Sequence, residues 1–437
     1  MQRTSTSASS RKIPGLCGVL VGLTALAVYI VVTLLQPDNL HKKSSNLFHW
    51  PVDFRVYYEA AKALNSGENL YDGNFVGNLP FTYPPFAGVL FRPLTVTDPH
   101  PMAVVWQVCS ALVLLAVIIG VLRERRYSWG PGLFAVAFLS WVASLNLGSV
   151  FGTFYWGQIN IFLMGLIALD FLRGPRSLGR GIFSGLAAGI KLTPSFFLIP
   201  LLVERRWFAA VTMTVTTLAT VTVGWIVVPD ARSFWTEKVL ETDRIGTVSN
   251  PGAQSLAIVL ERLGIEHHQL WWMISSVLIV AVFCIAVRGA LRYGNFSMVF
   301  ALGGVVACVI SPFSWYHHWV FIVPLFVVFV DSVITAFSRV TTRFTRMGRG
   351  MGKIAWCFEQ CVGLVTVAAC SVIFLPFSAP VAFEPTSFRV QGRASDPIMA
   401  GLMVYTAISF VVIVAVVYGV RELIDRKQNV ASSVPQS

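Results

Sequence analysis

The stretch AVVWQVCSALVLLAVIIGVL, residues 103–122, runs for twenty residues without a charge. At 1.5 Å per helical residue, such a run matches the ~30 Å hydrocarbon core of a bilayer. LWWMISSVLIVAVFCIAV, residues 270–287, repeats the pattern. Both are continuously apolar. Strands of a membrane barrel would instead alternate over about ten residues, so these runs read as helices. Apolar residues make up 55% of the chain and charged residues only 12%, which places the whole chain in the bilayer. The expected fold class is an all-α polytopic membrane protein.

The net charge of +12 could point to nucleic acid. The basic residues, however, fall in short clusters between apolar runs, the arrangement that sets membrane orientation, so no nucleic-acid partner is expected. The seven cysteines lie scattered through or beside apolar segments with no paired or metal-ligand spacing, and read as small packing residues. No metal and no cofactor are expected.

The first apolar run, about 14–35, is too long for a signal-peptide core and lacks a clear small-residue cleavage site, so it reads as a retained span. Arg3, Arg11 and Lys12 precede it, while Arg123, Arg125 and Arg126 follow the next span, which puts both regions in the cytoplasm. Spans near 131–148, 156–172, 271–287 and 398–420 extend the pattern. The basic stretch SRVTTRFTRMGRGMGK, residues 338–353, and the final RELIDRK also fall inside. Residues 181–203 break the count, because Arg180 flanks one end and Arg205 and Arg206 the other. Lys191-Leu192-Thr193-Pro194 offers the solution. Proline removes a helix donor and disfavours helix in the residue before it, so the segment can turn back as two short arms. About ten full crossings plus this hairpin, or about twelve if each arm is counted, then satisfy every basic cluster. The expected organisation is a cytoplasmic tail over 1–12, a transmembrane domain over 13–422 and a cytoplasmic tail over 423–437. The loops at 37–85, 229–270, 311–315 and 378–397 face outward. A plasma-membrane protein with both termini inside and its site on the outer face follows.

Several outward residues can carry chemistry. DFRVYYEAAKALNSG places Phe54, Tyr57, Tyr58, Ala61 and Leu64 on one face of an interfacial helix closed by Gly67, with Asp53 at its N-cap. Capping alone would account for that aspartate, yet an acid there also reaches the membrane surface. FTYPPFAGVLFRPL carries Tyr83 before a Pro84-Pro85 break and is too short to cross. Gln158 and Asn160 bring amides to the top of an apolar helix, where they bind substrate or join helices. DRIGTVSNPGAQSLAIVLER supplies Asn250, Gln254, Ser255 and Arg262, the last able to pair with phosphate or with a neighbouring acid. In SPFSWYHHWVF the adjacent His317 and His318 project differently, so at most one is expected to face a given ligand; interfacial packing is the plainer reading. Lys191 is a cation in an apolar segment, either functional or snorkelling to the interface.

In combination, DFRVYYEAAKALNSGENLY, FTYPPFAGVLFRPL, GQINIFLMGLIALD, GLAAGIKLTPSFFLIPLLVERRW, SNPGAQSL and SPFSWYHHW, spanning residues 53–319, resemble the actinobacterial polyprenyl-phosphate-mannose-dependent mannosyltransferases of glycosyltransferase family 87. These belong to the GT-C group of membrane glycosyltransferases. The resemblance implies a GT-C type helical bundle with interfacial helices in the first outward loop, and an acidic base that maps onto Asp53. It also implies a polyprenyl-phosphate sugar donor held near His317 or His318. Residue chemistry agrees: a polyprenyl phosphate is a good leaving group, so transfer needs one base and cations for the departing phosphate, with Lys191 and Arg262 available. One carboxylate suffices where a glycosidase needs two. No Asp-x-Asp pair is present, which argues against a metal-bound nucleotide sugar. The expected activity is α-1,2 mannosyl transfer with inversion to a glycolipid or polysaccharide acceptor of the cell envelope, such as phosphatidylinositol mannoside or lipomannan, among membrane lipids. An arabinofuranosyltransferase using decaprenyl-phosphate arabinose is the alternative within the resemblance. A lipid transporter or flippase is less favoured, since no inverted repeat and few intramembrane charges are evident.

Overall fold

The computed structural model describes residues 11–35, 50–174, 177–241, 244–345, 352–378 and 397–433. The expected extreme N-terminal tail, most of the outward loop at 378–397 and part of the basic stretch 338–353 lie outside these residues.

Helices occupy the places that apolar run length marks out. They are α1 (Leu16–Leu34), α2 (Val52–Asn65), α3 (Pro85–Phe91), α4 (Pro99–Glu124), α5 (Pro131–Ser144), α6 (Gly148–Trp156), α7 (Asn160–Phe171) and α8 (Ile182–Ile190). The bundle continues with α9 (Leu198–Val203), α10 (Trp207–Val227), α11 (Leu256–Arg262), α12 (His268–Arg292), α13 (Phe296–Ile310), α14 (Ile322–Thr345), α15 (Gly352–Ile373) and α16 (Leu402–Ser433). A two-stranded ribbon, β1 (Asn74–Val76) with β2 (Leu79–Pro80), is the sheet among the described residues. The protein is an all-α polytopic membrane protein. Among the described residues, seven helices are long and apolar enough to cross a membrane, or up to eight if a bent pair counts as one.

Two of the expected crossings, at 131–148 and 156–172, are shorter than a bilayer, and α13 is short as well. α5, α7 and α13 have 14, 12 and 15 residues, or roughly 18–23 Å of helix. The span expected at 156–172 is α7 alone, and α6, which lies between two expected spans, meets it at 118° around Gly157. Two of the short helices stop at the main cavity. Asn160 opens α7 beside Lys191, and Ile310 closes α13 in the cavity wall.

The groups assigned to one membrane side do meet. The Arg11 guanidinium lies 3.3 Å from Asp331 of α14, which also accepts from Arg125 and Tyr127, and the Arg11 amide donates to the Arg126 carbonyl at 3.0 Å. The Glu124 carboxylate accepts from the Phe296 amide at 3.0 Å, and Arg292 pairs with Glu422 at 2.6 Å. The N-terminus, the α4–α5 turn, the α12–α13 turn and α16 are therefore tied together at one end.

The segment 181–203 breaks where proline requires. α8 ends at Ile190, Lys191 is extended (φ −147°, ψ 135°), and a 3-10 turn over Thr193–Phe197 leads into α9. Its two flanks return to one place, since buried Arg180 faces Glu204 at 3.0 and 2.7 Å. Bringing two charges out of water is costly unless they pair, and this pair closes the hairpin.

Candidate active site

A cavity of about 1070 Å³ opens between α2, the Thr82–Tyr83 stretch, the α6–α7 turn, the α8 break and the loops at 234–251 and 311–318. Asp53, Tyr83, Gln158, Lys191, Asn250, His317 and His318 all line it. Asp53 is the single carboxylate among the described lining residues.

Asp53 is not the helix cap that the pattern predicts. Pro51 takes that position with φ −59°, its carbonyl accepting the Arg55 amide at 3.0 Å, and Asp53 falls inside the first turn. Its side chain is left free of capping and accepts instead from Gln158 Nε2. The Gln158 carbonyl oxygen in turn accepts from Tyr83 Oη at 2.9 Å and Tyr57 Oη at 3.2 Å, and the two phenols are 2.7 Å apart. With its oxygen so occupied, Gln158 can only present its NH2 to Asp53. Burial pushes the Asp53 carboxyl up from the usual carboxylate range to about 6, against the Gln158 hydrogen bond and the charge of Lys191, which lower it.

Local sequence explains how Gln158 arrives there. Gly157 ends α6 at φ +70°, and a Cβ on it would stand 2.7 Å from Pro51 Cβ and from Phe54 Cβ. Glycine satisfies both the left-handed turn and the close approach of α2. Trp106 Nε1 fixes the turn by donating to the Gly157 carbonyl at 3.0 Å. α2 buries Phe54, Tyr57, Ala61 and Leu64 as the helical spacing predicts, and Gly67 follows its end at φ +78°. Tyr58 is only half-buried.

Lys191 reaches the cavity because α8 stops one residue before it. Its ammonium donates to Asn160 Oδ1 at 3.0 Å and lies 5.4 Å from the Tyr83 ring centroid. Asn160 Nδ2 donates to the His317 carbonyl at 2.9 Å, so one amide joins the lysine to the histidine turn. Asn160 itself stands behind the wall of the main cavity, in a smaller void next to it.

Tyr316–His318 form a single 3-10 turn that sets the two imidazoles edge to face, 4.9 Å apart. Both border the cavity. Their hydrogen bonding differs. His318 Nδ1 accepts from the Trp315 amide at 3.2 Å, which leaves its proton on Nε2. His317 is 5% exposed, and neither of its ring nitrogens has a partner. Burial, reinforced by Lys191, holds both imidazoles well below their ordinary pKa and neutral. A buried imidazole with open nitrogens facing a cavity is poised to bond a ligand. His317→Ala is accordingly expected to lower transfer roughly tenfold or more. His318→Ala should mainly cost about 1–3 kcal/mol of stability by orphaning the Trp315 amide. Turnover and thermal midpoints of the two variants check this, and full activity in both would remove the pair from the site.

Three expected site residues are employed elsewhere. Arg262 donates from Nε to the Val248 carbonyl at 3.0 Å and from Nη2 to the Asn250 carbonyl of the same loop, and is not among the cavity-lining residues. Gln254 donates to the Pro251 and Ala400 carbonyls at 2.9 and 3.0 Å. Ser255 caps α11 by accepting from the Ile258 amide. They shape the loop that carries Asn250. Arg244 and Lys238 line the cavity and were not singled out by sequence. The only signal for Arg244 was a cation inside the polar loop that also holds Asn250.

A family model described as Glycosyltransferase family 87 matches residues 81–312. A "Polyprenol-phosphate-mannose-dependent alpha-(1-2)-phosphatidylinositol mannoside mannosyltransferase" of Mycobacterium tuberculosis (strain ATCC 25618 / H37Rv) is 31% identical over 293 residues, covering 62% of this chain and 68% of that one. The protein of the same description from Mycolicibacterium smegmatis (strain ATCC 700084 / mc(2)155) is 32% identical over 337 residues, 70% and 75% of the two chains. A "Polyprenol-phosphate-mannose-dependent alpha-(1-2)-phosphatidylinositol pentamannoside mannosyltransferase" of Mycobacterium tuberculosis (strain CDC 1551 / Oshkosh) is 34% identical over 299 residues, 64% and 66%. No solved structure matches the chain.

Proposed function

The chain belongs to glycosyltransferase family 87 and is a membrane glycosyltransferase; on that premise we propose that it moves mannose from a polyprenyl phosphate to a phosphatidylinositol mannoside or a related envelope mannan, forming an α-1,2 linkage with inversion. The observation that carries the reading is Asp53, the one carboxylate among the described residues of the cavity wall, oriented by Gln158 in the same space as Lys191 and His317.

The chemistry follows from those groups. An acceptor hydroxyl gives its proton to an Asp53 oxygen as its own oxygen bonds to the mannose C1. The bond between C1 and the phosphate oxygen breaks on the opposite face, and the electron pair leaves with the polyprenyl phosphate. A phosphate monoester is a weak base, so no acid is needed to protonate it. The charge that grows on its oxygens is instead met by Lys191 and by N–H donors in the cavity. Attack opposite a β-linked phosphate gives an α-linked product. In this reading His317 and Asn250 bond sugar hydroxyls, and Tyr83 holds Gln158 in position.

In this reading the cavity opens to the outer face of the plasma membrane, with both termini in the cytoplasm. The ties between the N-terminus, the α4–α5 turn and α16 support it, because those elements carry the basic clusters. The test is transfer by purified protein supplied in turn with polyprenyl-phosphate mannose and decaprenyl-phosphate arabinose, with a phosphatidylinositol mannoside acceptor. Mannose alone should be transferred; arabinose transfer, or none from either donor, defeats the proposal. For orientation, Asn250→Cys in intact cells should react with an impermeant maleimide, and reaction only after lysis would reverse the assigned side.

A further inference from the structure

We infer that Arg244 is the residue that grips the phosphate of the lipid-linked donor, an assignment that rests on the function proposed above. Arg244 lines the cavity on the loop that follows the short helical turn Phe234–Lys238. Its guanidinium is half-buried, with Nη2 near the Thr82 carbonyl at 3.5 Å and the group 5.8 Å from the Phe234 ring centroid. Its Nε is buried and has no hydrogen-bond partner.

Other arginines make the contrast; Arg55 also has a buried Nε without a partner, but it lies over the Trp50 ring and does not line the cavity. Arg125 and Arg180 each face a carboxylate, and Arg262 is bound to two loop carbonyls. Among the described residues no carboxylate lies within ion-pair distance of Arg244, and nearby Glu241 is engaged by Lys238 at 3.1 Å. Keeping a guanidinium partly desolvated without an anion is costly, and the cost is recovered when an anion binds. The planar fork of arginine suits phosphate oxygens, which accept two parallel hydrogen bonds.

Position agrees with charge. Arg244 meets the backbone at Thr82 while Lys191 lies over the ring of Tyr83, so the two cations flank one dipeptide. The Tyr83 hydroxyl reaches Gln158, which holds Asp53. A phosphate between Arg244 and Lys191 therefore keeps its sugar within the part of the cavity that Asp53 borders. The same cavity is lined by Leu192, Phe196, Val239 and Ile310, apolar surface suited to the first isoprene units of the carrier. Leu192 and Ile245 are exposed, which leaves that surface open to a lipid tail.

The test uses full-length protein in lipid nanodiscs and two probes, a polyprenyl monophosphate and the polyprenol of the same length. Arg244→Gln should weaken binding of the monophosphate roughly tenfold or more and leave the alcohol unchanged. Arg244→Lys, which keeps the charge but not the fork, should fall between, and the acceptor KM should not move in either. Phosphate binding by Arg244→Gln equal to that of the unaltered chain overturns the assignment of Arg244 and leaves the proposed function standing. Equal loss of phosphate and alcohol binding also overturns it, because the residue would then be structural. An unaltered chain that binds neither probe overturns the proposed function together with the inference.

Discussion

Asp53→Asn is expected to abolish transfer, by about 10²- to 10⁴-fold, while leaving folding intact. The amide keeps the shape of the carboxylate, and the surrounding tyrosines still pack. α2 does not depend on this side chain for its cap, since Pro51 opens the helix and no capping bond is made. What is lost is the capacity to accept a proton. The acid limb of the pH profile supplies a second readout. Burial raises the Asp53 carboxyl to about 6, and the base acts when ionised. The chemical rate constant should therefore be level above about pH 6 and fall tenfold per unit below it, whereas residual turnover in Asp53→Asn should show no such limb. Single-turnover rates with labelled polyprenyl-phosphate mannose decide the matter. Turnover by Asp53→Asn close to that of the unaltered protein would remove Asp53 from the chemistry.

Lys191→Met should carry the next largest loss, about two orders of magnitude in transfer, as for removal of one donor that meets developing charge. The substitution keeps the length and the apolar stem of the side chain. It also removes a cation that burial disfavours, so thermal stability should hold or rise. A further consequence separates this role from simple packing. Lys191 is among the charges that lower the Asp53 pKa, so without it the acid limb should move above pH 6. A thermal midpoint that falls with no shift in the limb would make Lys191 a structural brace for Asn160 and nothing more.

Much of the fold was legible because membrane insertion is governed by local quantities. Whether a segment can cross depends on run length and charge, and whether it breaks depends on proline, and both are read within about twenty residues. The hairpin at 181–203 is the clearest case: the Lys191–Pro194 break and the meeting of its flanks at Arg180 and Glu204 both follow from charge and proline alone. The same reasoning left Gly148–Trp156 between two spans, where the structure has a short helix that ends at the left-handed Gly157 and meets the next at 118°.

The site was legible in type and only partly in identity. Asp53, Lys191 and the two histidines stand out as polar groups in apolar surroundings, a property of sequence. Arg262 stood out for the same reason and proved to be a loop tether, because the carbonyls of Val248 and Asn250 reach it first. Arg244 is its counterpart, ordinary in sequence and placed in the cavity by a loop whose course depends on distant packing.

Sequence by itself determined the class of protein, the position of the long apolar helices and of the Lys191–Pro194 break, and the stock of titratable groups beside the membrane, since each is set by neighbours along the chain. Tertiary structure decided which of those groups share one cavity: Asp53 meets Gln158 across 105 residues and Arg244 meets Thr82 across 162. Side-chain direction over such separations is fixed by helix packing and by turns such as Gly157, where the close approach of a second helix selects the rotation. No local pattern contains that information.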